Sequence, residues 1–242
     1  IDSYKFGISF AWTLTITGSL EKAENYSKKL ESKLLKDKDS QTPHNYLSRI
    51  YLTFNLIATY KGKTEDAVRY SNLALRNIDE SDFVWSSFAY YLSSGTYILK
   101  FELDKCIESL TKGWKSSKRL NNSYLEIINP AKIAYLFKLK GKYSEALKIC
   151  DDLFEIYNAK SAADGFKLSL FVSFIYLTKG SILIEQGKIE EGFQMVLKGH
   201  NLSQKLTGIS FKIYGVLILA ETYYKIGQAD KALEIIENFG AD

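Results

Sequence analysis

Few side chains in this sequence are of the types that perform chemistry, and those few stand apart. The two histidines, His44 and His200, lie in different halves of the chain. Metal sites and nucleophile–base–acid arrangements need several groups converging on one point. Neither histidine has a ligand or triad partner at useful spacing, so ordinary roles are expected: His44 follows Pro43 near a helix start, and His200 falls late in a helix. The 2 cysteines, Cys106 and Cys150, form no C-x-x-C motif and no Cys/His cluster. They are too few for a disulfide scaffold and fit a reducing cytoplasm. Gly62-Lys63-Thr64 ends like a phosphate-binding loop, but Ile57 stands where that motif requires glycine. The acidic pairs Glu65-Asp66 and Glu190-Glu191 read first as helix-start charges. The sequence therefore predicts no catalytic residue, no metal ligand and no cofactor, and the chain is not expected to be an enzyme.

Aromatic residues are the chemistry that remains. They make up 14% of the chain and include 17 tyrosines. Rings accompanied by a few charges suit recognition of a peptide, a partner helix or a sugar. They suit equally well the packing of one long helix against the next. Which rings share a surface depends on the elements that carry them.

Those elements repeat. Six segments share a glycine, a few polar residues, an acidic residue and then a small residue: Gly18 to Ala23, Gly62 to Ala67, Phe101 to Cys106, Gly141 to Ala146, Gly187 to Gly192 and Gly227 to Ala232. Only the third lacks the glycine, with Phe101 in its place. The small anchors Ala23, Ala67, Cys106, Ala146, Gly192 and Ala232 are spaced by 44, 39, 40, 46 and 40 residues. A near-constant period of this length marks a repeat array. Glycine ends one helix because it takes a left-handed backbone without a Cβ penalty. The acidic residues beyond it meet the positive end of the next helix. Twelve residues before each anchor stand Ala11, Asn55, Ser94, Ala134, Gly180 and Ala220, small in every case but Asn55. Three residues later come Leu14, Ala58, Tyr97, Phe137, Leu183 and Tyr223, mostly large and on the same face. Each unit is thus a helix A, a tight turn and a helix B that cross at small residues. The A/B pairs are predicted at 2–17/19–36, 44–61/64–77, 81–100/103–120, 123–140/142–159, 165–186/189–206 and 208–225/228–239.

The composition agrees with such an array. Only 2 prolines interrupt it, and 46% hydrophobic with 25% charged residues is the balance of a water-soluble chain. The net charge of +4 is small and the lysines are spread, so no nucleic-acid footprint is read here. The most apolar stretches, Leu168–Thr178 and Ile213–Ala220, fall short of the ~20 residues a bilayer requires. No membrane span is expected, and the localisation expected is cytoplasmic. Because the chain opens on Ile1, it is read as a piece of a longer protein.

The small–x2–bulky spacing in helix A, the glycine turn and the alanine of helix B resemble tetratricopeptide (TPR) repeats, although the period of about 40 exceeds the usual ~34. Long units with turns such as Gly141-Lys-Tyr-Ser-Glu-Ala146, and the stretch Phe83–Asn122 ending Lys-Ser-Ser-Lys-Arg-Leu-Asn-Asn, resemble the sensor region of MalT-like, LuxR-type bacterial transcription activators. The resemblance implies an all-α superhelical solenoid of about six antiparallel helix pairs, one TPR-like domain over residues 1–242. It also implies that a signal-transduction ATPase and a DNA-binding domain lie elsewhere in the full protein.

TPR geometry implies a concave groove lined by A-helix positions six and three residues before the small residue and one and four after it. These include Arg49, Phe88, Phe174 and Tyr214 in the first row, Ile8, Tyr91 and Leu177 in the second, Trp12, Tyr135 and Glu221 in the third, and Lys138 and Tyr224 in the last. The groove would take a protein, peptide or small-molecule effector. The expected function is a ligand- or protein-sensing domain of a bacterial transcription regulator. The alternative is a TPR scaffold for protein partners without a small-molecule ligand. Since no polar capping helix follows Phe239, self-association is a further expectation.

Overall fold

The computed structural model describes residues 2–37, 45–119, 123–164, 172–206 and 209–240. Secondary structure among them is entirely helical. The first six helices are α1 (Asp2–Ile16), α2 (Leu20–Lys36), α3 (Asn45–Tyr60), α4 (Thr64–Arg76), α5 (Phe83–Leu99) and α6 (Leu103–Ser117). The second six are α7 (Ser123–Leu139), α8 (Tyr143–Asp164), α9 (Ser173–Glu185), α10 (Ile189–Ser203), α11 (Ile209–Lys225) and α12 (Ala229–Gly240). Odd-numbered helices are the A helices of the repeat and even-numbered ones the B helices. The main departure from the predicted bounds is α8, which runs to Asp164 rather than residue 159. Residues 165–171 of the fifth predicted A helix, and His44, lie outside the described residues.

The turn between each A and B helix has one construction. Gly18, Gly62, Gly141, Gly187 and Gly227 have φ between 67° and 84°, and Phe101 adopts the same left-handed backbone with φ 56°. The next N–H then reaches back to a carbonyl five residues earlier: Ser19 to Leu14, Lys63 to Ala58, Glu102 to Tyr97, Lys142 to Phe137, Lys188 to Leu183 and Gln228 to Tyr223, all at 2.8–2.9 Å. This closing bond satisfies a carbonyl that the helix end leaves free. Glu21, Glu65, Asp66, Asp104, Glu145, Glu190, Glu191 and Asp230 occupy the first turns of the B helices, where the dipole favours them.

All six small anchors are buried, as the crossing requires. Asn55, the exception to the small rule, is explained by its amide, which donates to the carbonyl of anchor Ala67 at 2.7 Å. At the opposite extreme, a Cβ on Gly192 would stand 2.6 Å from the carbonyl oxygen of Gly180, so that crossing excludes any side chain.

The chain divides into two compact units, Ile1–Leu125 and Glu126–Asp242. In the first, Ile8, Leu30, Tyr46, Ile50, Leu52 and Phe54 centre one core. α1 packs on α3 and α3 on α5, so A helices neighbour A helices. In the second, Ile127, Ala134, Leu153 and Ile175 form one cluster, and Leu177, Val196, Ile218 and Leu219 form another. There α9 packs on α11 in the same way. No helix among the described residues is long and apolar enough to cross a membrane.

Candidate functional site

The four expected groove rows separate into distinct environments. The row three before the small residue is mostly core: Ile8 is 1% and Leu177 0% exposed. These two are corrected from groove to core positions, because their side chains turn into the contact with the neighbouring helices. The rows six before and one after lie seven residues apart, two turns along one helix face. Arg49, Phe88, Phe174 and Tyr214 of the former, and Trp12, Tyr135 and Glu221 of the latter, are all half-buried. This stripe is the candidate site, and each unit carries its own version.

In the first unit, Trp12 of α1 meets the α5 rings Trp85 and Phe88 edge-on, at 5.6 and 5.8 Å between centroids. The rings of the first and third A helices therefore touch over the second. Arg49 of α3 completes the group. Its guanidinium lies 5.2 Å from the Tyr46 ring and 5.1 Å from the Trp85 ring, and it pairs with Asp82 at 2.5 Å. Asp82 is held in place as the cap of α5, accepting from the Trp85 N–H at 3.4 Å. The Arg49 Nε is buried without a hydrogen-bond partner.

The second unit repeats the plan with other residues. Tyr135 of α7 meets Tyr214 of α11 edge-on at 5.2 Å. Phe174 of α9 stacks on Tyr214 at 5.0 Å and meets Phe211 edge-on at 5.5 Å. The Tyr214 hydroxyl shares a hydrogen bond with Thr178 at 3.3 Å. Burial pushes the Tyr214 phenol well above its ordinary range and raises that of Tyr135, the Glu221 charge adding to the latter. Lys138 is only 6% exposed, and its Nζ is 3.2 Å from Glu221. Glu221 also binds Lys225 at 2.6 Å, and Lys225 in turn binds Glu185. Burial works to raise the Glu221 carboxyl, but the bonds and charges of Lys225 and Lys138 outweigh it and hold it low.

Six of the expected site residues thus fall into two groups, Trp12 with Phe88, and Tyr135 with Lys138, Phe174 and Tyr214. Tyr91 and Tyr224 stand outside both. Tyr91 is half-buried, and burial raises its phenol. Tyr224 is 71% exposed. Trp85, Asp82 and Phe211 belong to the groups but were absent from the expected groove. Phe211 had a signal in its spacing, three residues before Tyr214 on one helix face.

Neither cysteine is a reactive thiol, since both are buried and burial pushes Cys150 up to about 12. Among the described residues no group of three or more His, Cys, Asp or Glu is placed to hold a metal ion.

No family model matches the sequence. Several solved structures are similar in fold. The apo form of RapI is 18% identical with a TM-score of 0.69, over 98% of this chain and 81% of that one. NprR in complex with its cognate peptide NprX is 17% identical with a TM-score of 0.71, over 98% of this chain and 66% of that one. The apo form of the quorum sensor NprR from B. thuringiensis is 16% identical with a TM-score of 0.67, over 98% and 63% respectively. The chain therefore spans less than two thirds of the NprR chains it matches. At such identities the likeness establishes the fold, and this chain has the TPR-like helical-repeat fold.

Proposed function

We propose that the chain is a peptide- or protein-binding regulatory module, with the half-buried ring stripe of the A helices as its recognition surface. The observation that carries this reading is the pairing, in each unit, of aromatic rings from the first and third A helices with an ion pair on the same stripe. Rings offer apolar anchors, and the ion pairs offer polar groups that a bound main chain can engage. That NprR is solved with a cognate peptide makes a peptide the first ligand to try. Binding would draw the unit toward one arrangement and so shift the population of an active form.

Finer parts of the proposal rest on the repeat pattern and the MalT-like resemblance. They are that the module senses for a bacterial transcription regulator in the cytoplasm, that its two units work as one domain, and that it self-associates. The full-length gene tests the first, through an upstream ATPase and a downstream DNA-binding domain.

The direct test is fluorescence. Trp12 and Trp85 lie against each other, so a ligand that parts them changes their emission; Trp114→Phe removes the remaining tryptophan. Titration with a library of short peptides should give a saturable change for some members. Truncating Phe88, or Tyr135 with Phe174, to Ala should weaken that binding by about 1–3 kcal/mol per anchor. Variants that stay folded and bind unchanged would show that these rings serve packing alone.

A further inference from the structure

A second surface of the first unit has the makings of a different site. Phe83 and Tyr90 are seven residues apart on α5, a face separate from that of Trp85 and Phe88. Opposite them α6 and its exit present Lys112, Lys115, Ser116 and Arg119, a succession at three, four and seven residues that keeps one helix face. Together with Glu80 and Ser81 of the preceding link, these side chains enclose a surface pocket of about 510 Å³.

Its charge is unbalanced. Lys112 reaches Glu108 at 3.0 Å, an exposed pair within α6. Arg119 lies over the Phe83 ring at 5.2 Å, a contact that steadies its exposed guanidinium. Among the described residues neither Arg119 nor Lys115 has a carboxylate within ion-pairing distance. Glu80, the one acid in the lining, is turned to the Tyr90 hydroxyl at 3.2 Å. The nearby Asp79 is occupied by Ser81, whose N–H and hydroxyl donate to it at 2.9 and 2.6 Å.

We infer that this α5–α6 pocket binds a phosphate monoester, with Arg119 and Lys115 as the charged clamps, Ser116 as a hydroxyl donor and Phe83 as the wall that orients Arg119. A planar guanidinium matches phosphate oxygens bidentately, and a neighbouring ammonium adds a point charge. An open pocket of this size leaves room for whatever carries the phosphate. The carrier is either a phosphorylated small molecule or a phosphorylated side chain of a protein.

The test is a titration of the whole chain at low ionic strength with inorganic phosphate, O-phosphoserine and a phosphoserine-containing peptide, followed by phosphorus NMR. Saturable binding is expected, and Lys115→Gln with Arg119→Gln should weaken it at least ten-fold. Both side chains are exposed, so the variant should keep the parent's melting temperature. A control variant, Lys5→Gln on α1 with Lys22→Gln on α2, removes the same charge from exposed positions elsewhere and should bind like the parent. A peptide that binds at least ten-fold more tightly than O-phosphoserine would support the site with a protein as the carrier. Equal affinities would support it with a small molecule. Binding that never saturates, or a control that weakens binding as much as the pocket variant does, overturns the inference.

Discussion

Asn55 and Gly180 hold the same place in their repeats, twelve residues before the anchor, yet they join their helices by opposite means. In the first unit the crossings carry side chains that hydrogen-bond across the gap. Asn55 donates to the Ala67 carbonyl, Ser48 to that of Ala74 at 2.9 Å, and Ser109 to that of Tyr90 at 3.0 Å. In the second unit α9 and α10 approach until backbone meets backbone, through Gly180, Gly192 and Gly199. A hydroxyl or amide that finds a carbonyl offsets its own desolvation and can be traded for another small residue at modest cost. A glycine crossing contains nothing to trade. The polar pairs on the ring stripes differ in the same spirit. Arg49 in the first unit is flanked by two rings besides its carboxylate, whereas buried Lys138 in the second has Glu221 and one more distant ring, that of Tyr135 at 6.0 Å.

The largest effect should come from placing a charge at a crossing that both units share in kind. Ala67 and Ala146 are both fully buried anchors. Aspartate at either would bury an unpaired carboxylate at a cost of several kcal/mol. We expect Ala146→Asp to lose its cooperative melt. Hydrogen exchange read unit by unit then sharpens the comparison. If the chain is one cooperative domain, protection falls in residues 2–119 as well as beyond residue 126. If protection survives in the first unit, the two are separate folding units. A variant melting within a degree or two of the parent would refute the repeat register.

Next in size is the glycine crossing. Gly192→Ala sets a methyl group against backbone atoms of Gly180 and Ile184, which cannot swing away. Overpacking of this kind costs about 1–3 kcal/mol. Asn55→Ala in the first unit removes one hydrogen bond, about 1 kcal/mol. Urea denaturation should rank Gly192→Ala as the more damaging, and the reverse order would break the distinction drawn between the units.

These features were unevenly legible. The repeat, its six turns and its six buried anchors follow from the glycine–acid–small spacing, because each of those residues answers a local demand of the backbone. Asn55 was visible only as an anomaly, since its hydrogen bond depends on what lies across the crossing. The ring stripe was half legible. The expected ring and charge positions six before and one after the small residue share a helix face and stay half-buried, but Ile8 and Leu177 turn into the core, a matter of how closely the next helix packs. That Trp12 meets Trp85, or Tyr135 meets Tyr214, required knowing which A helices approach over a third. No local pattern encodes that.

Phe101 supplies a smaller test. It is the one non-glycine residue among those described with a left-handed backbone, and its side chain is 90% exposed. A side chain there carries a strain of about 1–2 kcal/mol, which an exposed ring does not offset and which glycine would relieve. Part of that gain is lost to the greater freedom of an unfolded glycine. Phe101→Gly should therefore stabilise the first unit by about 1 kcal/mol, while Gly141→Ala, at φ 71°, should destabilise the second by a similar amount. Equal and opposite shifts in melting temperature would confirm that the turns are interchangeable. A loss of stability in Phe101→Gly would mean that the ring has a structural contact in solution.

The smallest expected effect separates the units by pH. His200, in the second unit, is pushed below its ordinary 6.5 chiefly by burial, partly offset by a hydrogen bond with the Gly215 backbone, and its Nδ1 is buried without a partner. The folded state therefore favours the neutral ring. Its contribution is complete above pH 6.5 and is lost as pH falls below that value toward the lower folded pKa, because the unfolded chain takes up the proton first. Glu24, in the first unit, is held by the hydrogen bonds of Lys28 and Lys61 down to about 2 from an ordinary 4.5. Its contribution is intact above pH 4.5 and fades only as pH drops from there toward 2. Because Glu24 is partly solvated, screening limits the effect to about 1 kcal/mol or less. Between pH 7.5 and 5, then, His200→Gln should flatten the fall in stability and Glu24→Gln should leave it unchanged. Between pH 4.5 and 3 the roles should exchange, with Glu24→Gln now showing the shallower slope. His44 is common to all three proteins and drops out of the differences. If His200→Gln and the parent lose stability in parallel from pH 7.5 to 5, the imidazole is solvated in the folded chain and the pH asymmetry between the units fails.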